Sequence, residues 1–374
     1  LSAITVSPPT TLVKAERKRI ASERREARYA RDVKGFQPRG ATLADVAALA
    51  GVSPATVSRV LNGTASVSAA RAEAVHAAMR SLKVPANNLA RGLLSGSVEM
   101  VGVVVPDLHD EFCGDIVTGI EERLSYLGVH MMCVLGHNDR ESETRVVSEL
   151  IRRDLKGLIV LADHLPDRYL TTIARERALV VLNRAASGPG WQSLRIDNIS
   201  GGKMATRHLI SMGHTRIAHL TGPSYREDVE DRKNGYLEAL ADAGIEPDPS
   251  LMVFTDRTWD EVDGASATEQ ILRGTDATAI FAGNDFLAIG ALEELRRQHI
   301  SVPKGMSVVS YDNRSYTRWT NPPLTCIDYP KKEIGRRAAD YVVDLMRGGT
   351  PAPLPMLTPN LIVRESTSSP GIRR

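Results

Sequence analysis

Apolar residues fall at helical spacing from Leu43 and in short continuous runs from Val101, and this change of period divides the chain. Thr42 with Asp45 three residues later forms a capping box, and Leu43, Val46, Ala47 and Ala50 share one face at i, i+3, i+4 and i+7. That pattern predicts a helix to about Ala50, with Gly51 as the turn. Ser53 caps a second helix whose first residue, Pro54, has no N–H to leave unsatisfied. This helix turns Val57, Val60 and Leu61 inward and ends at Asn62-Gly63. A third, from Ser68 to about Leu82, closes a small core with Ala72, Val75, Ala78, Met79 and Leu82.

From Val101 the apolar runs alternate with amphipathic stretches. VGVVVPD, VHMMCVLG, GLIVLA and ALVVLN read as buried strands, separated by helices near 113–127, 141–153 and 167–176. SLRID, RIAHLTG, LMVFTD, ATAIFAG and MSVVSYD continue the series, with helices near 201–212, 231–243, 263–273 and 286–298. Such alternation predicts two parallel sheets of the same kind, the second starting at SLRID. Two such lobes side by side form a cleft at the C-terminal ends of their strands.

Charge sharpens this division. The 374 residues carry a net charge of only +2, yet residues 1–95 hold 15 Lys and Arg against 6 Asp and Glu, and the remainder 32 against 39. The basic end suits a polyanion. Residues 1–40, with KAERKRIASERREARYARDVK, have too few large apolar side chains to fold alone and read as a disordered basic arm. Cys113, Cys133 and Cys326 lack metal or disulfide spacing and read as reduced thiols. With no run near the ~20 apolar residues of a membrane span and no apolar leader, the expectation is a cytoplasmic protein without membrane contact.

The second helix turns Ala55, Thr56, Ser58 and Arg59 outward: short side chains for close approach, hydroxyls for phosphates and bases, and a guanidinium able to read guanine. The spacing alone would also suit a plain three-helix bundle. No nucleophile elbow, HExxH, Walker loop or GxGxxG occurs, so neither an enzyme nor a cofactor is expected. His208, His214 and His219 are read as structural. At or beyond the strand ends stand Asp107, Asn183, Asp197, Asn284, Asp285 and Asp312, with Arg232 opening a helix after the loop 222–231. Singly these acids and amides are turn residues or caps; together they suit a polyhydroxylated ligand.

The stretch TLADVAALAGVSPATVSRVLNG closely resembles the opening of the lactose and galactose repressor family, and the likeness continues to about Ser366 through RIDNISGGKMATRHLISMGHTRIAHLTGP, AGNDFLAIGALEEL, MSVVSYDN and PPLTCIDYP. The resemblance implies an all-α helix-turn-helix headpiece and an α/β periplasmic-binding-protein-like core of two parallel-sheet lobes. It implies domains at 1–40 (arm), 41–86 (headpiece), 87–98 (hinge helix and linker), 99–366 (effector-binding and dimerisation core) and 367–374 (flexible tail). It places Pro54, Ala55 and Arg59 at the bases, and Leu93 as a minor-groove wedge in a hinge helix beginning near Asn87. The full DNA-facing set is Thr42, Ser53, Pro54, Ala55, Thr56, Ser58, Arg59, Asn62, Asn87 and Leu93.

By the same resemblance Arg232 and Asp312 clamp sugar hydroxyls, Asn284 stands at the cleft, and Phe112 and Trp259 wall it. Asp107, Asn183 and Tyr329 complete the expected effector site. The chain departs from the family pattern in Asp110-Glu111-Phe112-Cys113, in Asn183-Arg184, in Tyr329 and in a hinge where Pro85 is one place early and Gly92 weakens the helix by up to ~1 kcal/mol. The expected protein is a transcription regulator, most simply a repressor, binding double-stranded operator DNA as a homodimer under control of a small-molecule effector, a sugar. The rival readings are a regulator answering to a purine or a protein corepressor, and a sugar transport protein. No heptad follows Arg364, which favours a dimer over a tetramer.

Overall fold

The computed structural model describes residues 43–62, 67–82, 99–162, 164–184, 186–224, 226–255 and 259–371. The chain divides into two compact units, Leu1–Val98 and Glu99–Arg374.

In the first unit, α1 (Leu43–Ala50), α2 (Pro54–Asn62) and α3 (Ala69–Ser81) surround a core of Val46, Ala47, Val57, Val75, Ala78 and Met79. Ala50, Val60 and Leu82 pack at its edge. Gly51 takes φ +65°, a left-handed turn that glycine adopts without a Cβ penalty. Ser53 Oγ accepts the Thr56 N–H at 3.2 Å, satisfying a donor at the start of α2 as the cap reading requires.

The second unit carries two sheets. The first holds β1 (Met100–Val105), β2 (His130–Leu135), β3 (Gly157–Val160), β4 (Ala178–Leu182) and β5 (Trp191–Leu194), all parallel in the order β2-β1-β3-β4-β5. Their connecting helices are α4 (Glu111–Leu127), α5 (Arg140–Arg152) and α6 (Asp167–Ala174). The second holds β6 (Ile217–Thr221), β7 (Met252–Phe254), β8 (Ala279–Ala282), β9 (Ser307–Tyr311), β10 (Thr325–Asp328) and β11 (Asn360–Ile362), in the order β11-β10-β9-β8-β6-β7. Around it lie α7 (Asn198–Ser211), α8 (Glu227–Asp242), α9 (Glu261–Gly274) and α10 (Asp285–Arg297). The last helix, α11 (Lys331–Met346), follows β10 in sequence yet packs on α4, β3 and β4 of the first lobe.

Three expectations are corrected. The strand in SLRID closes the first sheet instead of opening the second, because the turn at Gly188 and Gly190 lays Trp191–Leu194 beside β4. The second sheet is not purely parallel: β11 returns from α11 and pairs antiparallel with β10 at the edge. The expected flexible tail, 367–374, makes fixed contacts through its described part: Thr367 Oγ1 lies 2.9 Å from His208 Nε2, and the Ser368 N–H donates to Ser307 Oγ at 3.1 Å.

The chain therefore passes between the lobes three times, after β5, after β10 and after α11. Two of these passages pair with each other, Asp197 N–H to Leu357 O and Leu357 N–H to Arg195 O, each at 2.9 Å. These paired segments link the two lobes, and Ile196 between them lines the cavity that lies between the lobes.

Candidate functional site

The headpiece offers a solvent-facing helix N-terminus. Pro54, Ala55 and Arg59 are exposed on α2, while Thr56 and Ser58 are half-buried. Ser53 is exposed, but its hydroxyl is engaged with the backbone and hydroxyl of Thr56, so it shapes the helix start. Thr42, Asn87 and Leu93 lie outside the described residues, and Asn62 is described only as the last residue of α2.

Between the lobes lies a cavity of about 480 Å³ whose wall includes all eight residues singled out for an effector: Asp107, Phe112, Asn183, Arg232, Trp259, Asn284, Asp312 and Tyr329. They arrive from different strand ends. Asp107 follows β1 and accepts the His109 N–H at 2.7 Å; Asn183 follows β4 in the left-handed region at φ 60°. Phe112, in the first turn of α4, meets the Tyr329 ring edge-on at 6.3 Å between centroids.

Arg232 reaches the cavity because α7 and α8 cross with their backbones almost touching. A Cβ on Gly235 would collide with Ile199 O, and one on Gly202 with Arg232 O. Arg232 is 4 % exposed; its guanidinium lies 3.9 Å from the centre of the Tyr311 ring and 5.4 Å from that of Trp259, and donates through Nε to Asn198 Oδ1 and through Nη1 to Gly283 O. Asn284 has both polar ends employed: Oδ1 caps α10 through the Leu287 N–H, and Nδ2 holds Trp259 O at 3.1 Å. Its visible role is to position Trp259, whose indole rests on Gly222, where any Cβ would overlap the ring.

Asp312, at φ 97°, accepts the Tyr329 hydroxyl at 2.6 Å on one oxygen and Arg314 Nη1 at 2.6 Å on the other. Burial works to raise its carboxyl, but Arg314 and Arg232 outweigh it and hold Asp312 ionised below the usual range. Asp228 behaves alike: burial is opposed by Arg226 and Arg232, which bring it to about 2. Asp285, deeper behind the wall, is raised to about 7 by burial and by the neighbouring Asp312 charge.

Asp110, Arg226, Asp228, Phe286 and Arg314 also line the cavity, and the sequence reading missed them as site residues. Asp110 is legible as a helix cap, and it does accept the Phe112 N–H at 3.0 Å. Its bidentate pairing with Arg314, 204 positions away, had no local signal. The three histidines are structural: His214 bonds near Thr278, Ser307 and Ser368, His208 meets Thr367, and His219 stacks on Phe281 at 4.5 Å inside the second lobe.

A helix-turn-helix and a two-lobed α/β binding unit on one chain define a DNA-binding regulator with a ligand cleft. Residues 42–84 match the family described as bacterial regulatory proteins, lacI family, and residues 206–367 match the periplasmic binding protein-like domain. The chain is 36 % identical over 338 residues to the HTH-type transcriptional regulator GalR of Escherichia coli (strain K12), covering 89 % of this chain and 97 % of that protein. It is 35 % identical over 335 residues to the regulator CelR of Thermobifida fusca, covering 87 % and 98 %. Among solved structures, the lac repressor dimer bound to operator and the anti-inducer ONPF aligns with TM-score 0.76 at 27 % identity, covering 88 % of this chain and 100 % of that one. The CelR–cellobiose complex aligns with TM-score 0.65 at 34 % identity, covering 87 % and 99 %. The chain belongs to the lacI family of bacterial transcription regulators, and it is a DNA-binding regulator and not an enzyme. No helix among the described residues is long and apolar enough to cross a membrane.

Proposed function

We propose that this regulator is a cytoplasmic repressor whose operator affinity is set by a sugar held between the two lobes. The observation that carries the reading is the composition of the cleft wall. Phe112, Trp259 and Tyr329 bring aromatic rings next to Asp107, Asn183, Arg232 and Asp312, the mixture that takes the apolar face of a pyranose or furanose and its hydroxyls together. The relative solved with cellobiose supports a sugar, and the relative solved as a dimer on operator supports a homodimer on a two-fold symmetric site.

On this reading α2 enters the major groove with Arg59 as its hydrogen-bonding reader, since Pro54 and Ala55 offer only apolar contact. The effector acts by binding one arrangement of the lobes more tightly than the other, and a tenfold change in operator affinity needs only ~1.4 kcal/mol of coupling. Selection of bound DNA, followed by gel-shift titration with a sugar panel, tests this. One sugar should move the operator dissociation constant tenfold or more, and a purine or a partner protein moving it while every sugar leaves it unchanged would overturn the reading.

A further inference from the structure

The permanent cations of the cleft wall are three arginines, and each already has its charge met by the protein. Arg314 is 4 % exposed and gives Nε and Nη2 to the two oxygens of Asp110 at 2.9 and 3.0 Å, Nη1 to Asp312 at 2.6 Å, and its face to the Phe286 ring at 4.4 Å. Arg226 holds both oxygens of Asp228 at 3.1 and 3.2 Å. Arg232 spends Nε and Nη1 on Asn198 and Gly283, and its Nη2 stands between Asp228 at 3.6 Å and Asp312 at 3.7 Å. With Asp107 the wall carries four carboxylates against three guanidiniums.

A phosphate or carboxylate on a ligand would find no guanidinium here whose charge is not already faced by a carboxylate within 4 Å. It would lose its hydration without a partner and face a wall with one negative charge in excess. Hydroxyl groups are under no such penalty, because the paired carboxylates retain lone pairs that accept a neutral O–H.

Resting on the sugar reading above, we propose that the effector is an uncharged polyol, that phosphorylated and acidic sugars are rejected, and that Asp110 determines this specificity by occupying the edge of Arg314 that an anion would need. Asp110 caps α4 in the first lobe and Arg314 follows β9 in the second, so the lock exists only where the two lobes meet. Asp110→Asn keeps a competent helix cap while removing the charged acceptor from both Arg314 N–H groups and leaving one of them opposite an amide NH2 that cannot accept. Glu111→Gln is the matching control. Glu111 spans the same two lobes by accepting the Ser315 N–H at 3.0 Å and its hydroxyl at 3.0 Å, and the contact does not involve Arg314.

The test is calorimetric titration of the full chain and both variants with D-galactose, D-glucose, D-ribose and cellobiose, and with glucose 6-phosphate, ribose 5-phosphate and galacturonate. At least one uncharged sugar should bind the natural chain tenfold or more tightly than any anion, a ratio of about 1.4 kcal/mol. Asp110→Asn should narrow that ratio roughly tenfold, and Glu111→Gln should leave it unchanged even if both affinities fall. An anionic sugar binding the natural chain as tightly as its uncharged counterpart overturns the proposal and leaves the sugar reading standing, as does an equal change of ratio in both variants. Failure of all seven compounds to bind overturns the sugar reading and this proposal with it.

Discussion

The headpiece and the cleft solve recognition by opposite means. The reading helix is a local object: Gly51, Ser53 and Pro54 fix where α2 starts, Val57 turns inward, and Arg59 is thereby turned outward, all within nine residues. The cleft is assembled from the ends of strands and helices more than 200 positions apart, and Asp110 meets Arg314 only because the chain has crossed from one lobe to the other between them. A local site tolerates change elsewhere in the protein, whereas an assembled one depends on every crossing that brings its walls together.

The largest expected effect tests that dependence. Gly235→Val forces a side chain into Ile199 O and the Lys203 amide, where backbone must yield, and should destabilise the second unit by about 3 kcal/mol or more. Urea denaturation should show this together with loss of effector binding. Unchanged stability would mean that the α7–α8 crossing does not hold Arg232 in place.

Acid should come next. His219 is fully buried, and burial lowers its imidazole to about 4 from the usual 6.5. Its Nδ1 pairs with Phe281 O, and Nε2 has no hydrogen-bond partner among the described residues. Because the unfolded chain takes up the proton near pH 6.5 and the folded chain only near 4, the stability from this group is complete above 6.5 and is lost as pH falls through that window, by roughly 3 kcal/mol in all. Asp285 has the opposite sign, since its raised carboxyl favours the folded state below the unfolded value of 3.8 and loses that contribution as pH climbs toward 7. The two contributions oppose each other across much the same window, so melting curves of the natural chain should stay nearly level between about pH 4 and 7, whereas His219→Phe, which leaves Asp285 to titrate, should gain stability as pH falls; a variant curve parallel to that of the natural chain would place the titration elsewhere.

On the other side of the comparison, Arg59→Ala should cost about 1–3 kcal/mol of discrimination at one guanine while leaving effector binding and core stability untouched. Competition between selected and altered operators measures it, and an unaltered preference would remove Arg59 from its reading role. The smallest effect is Ser53→Ala, which deletes the cap on α2 and should cost about 1 kcal/mol, seen as weaker operator binding with the same base preference. A changed preference instead would show that Ser53 touches bases directly.

The helix-turn-helix was legible almost to the residue because capping, turn and amphipathic spacing are contacts between neighbours in sequence. The first nine strands and their order of appearance were legible from apolar runs, whereas β10, β11 and α11 fell outside the predicted series; the eight cleft candidates were legible because strand ends of parallel sheets converge and the resemblance named their counterparts. What lay hidden were partners. Asn284 stands at the cleft, yet its amide serves Leu287 and Trp259; Arg314 carried no signal in the sequence, and its partner Asp110 lies 204 positions away.

By itself, then, the chain of residues determined which segments become helix or strand and which side chains stand at their ends, since backbone hydrogen bonding and apolar periodicity are short-range. Only the tertiary structure decided that β5 joins the first sheet, that α11 returns to the first lobe, and that every arginine in the cleft already has a carboxylate beside it. Charge pairing acts through space over a few ångströms, and nothing in sequence spacing measures that distance.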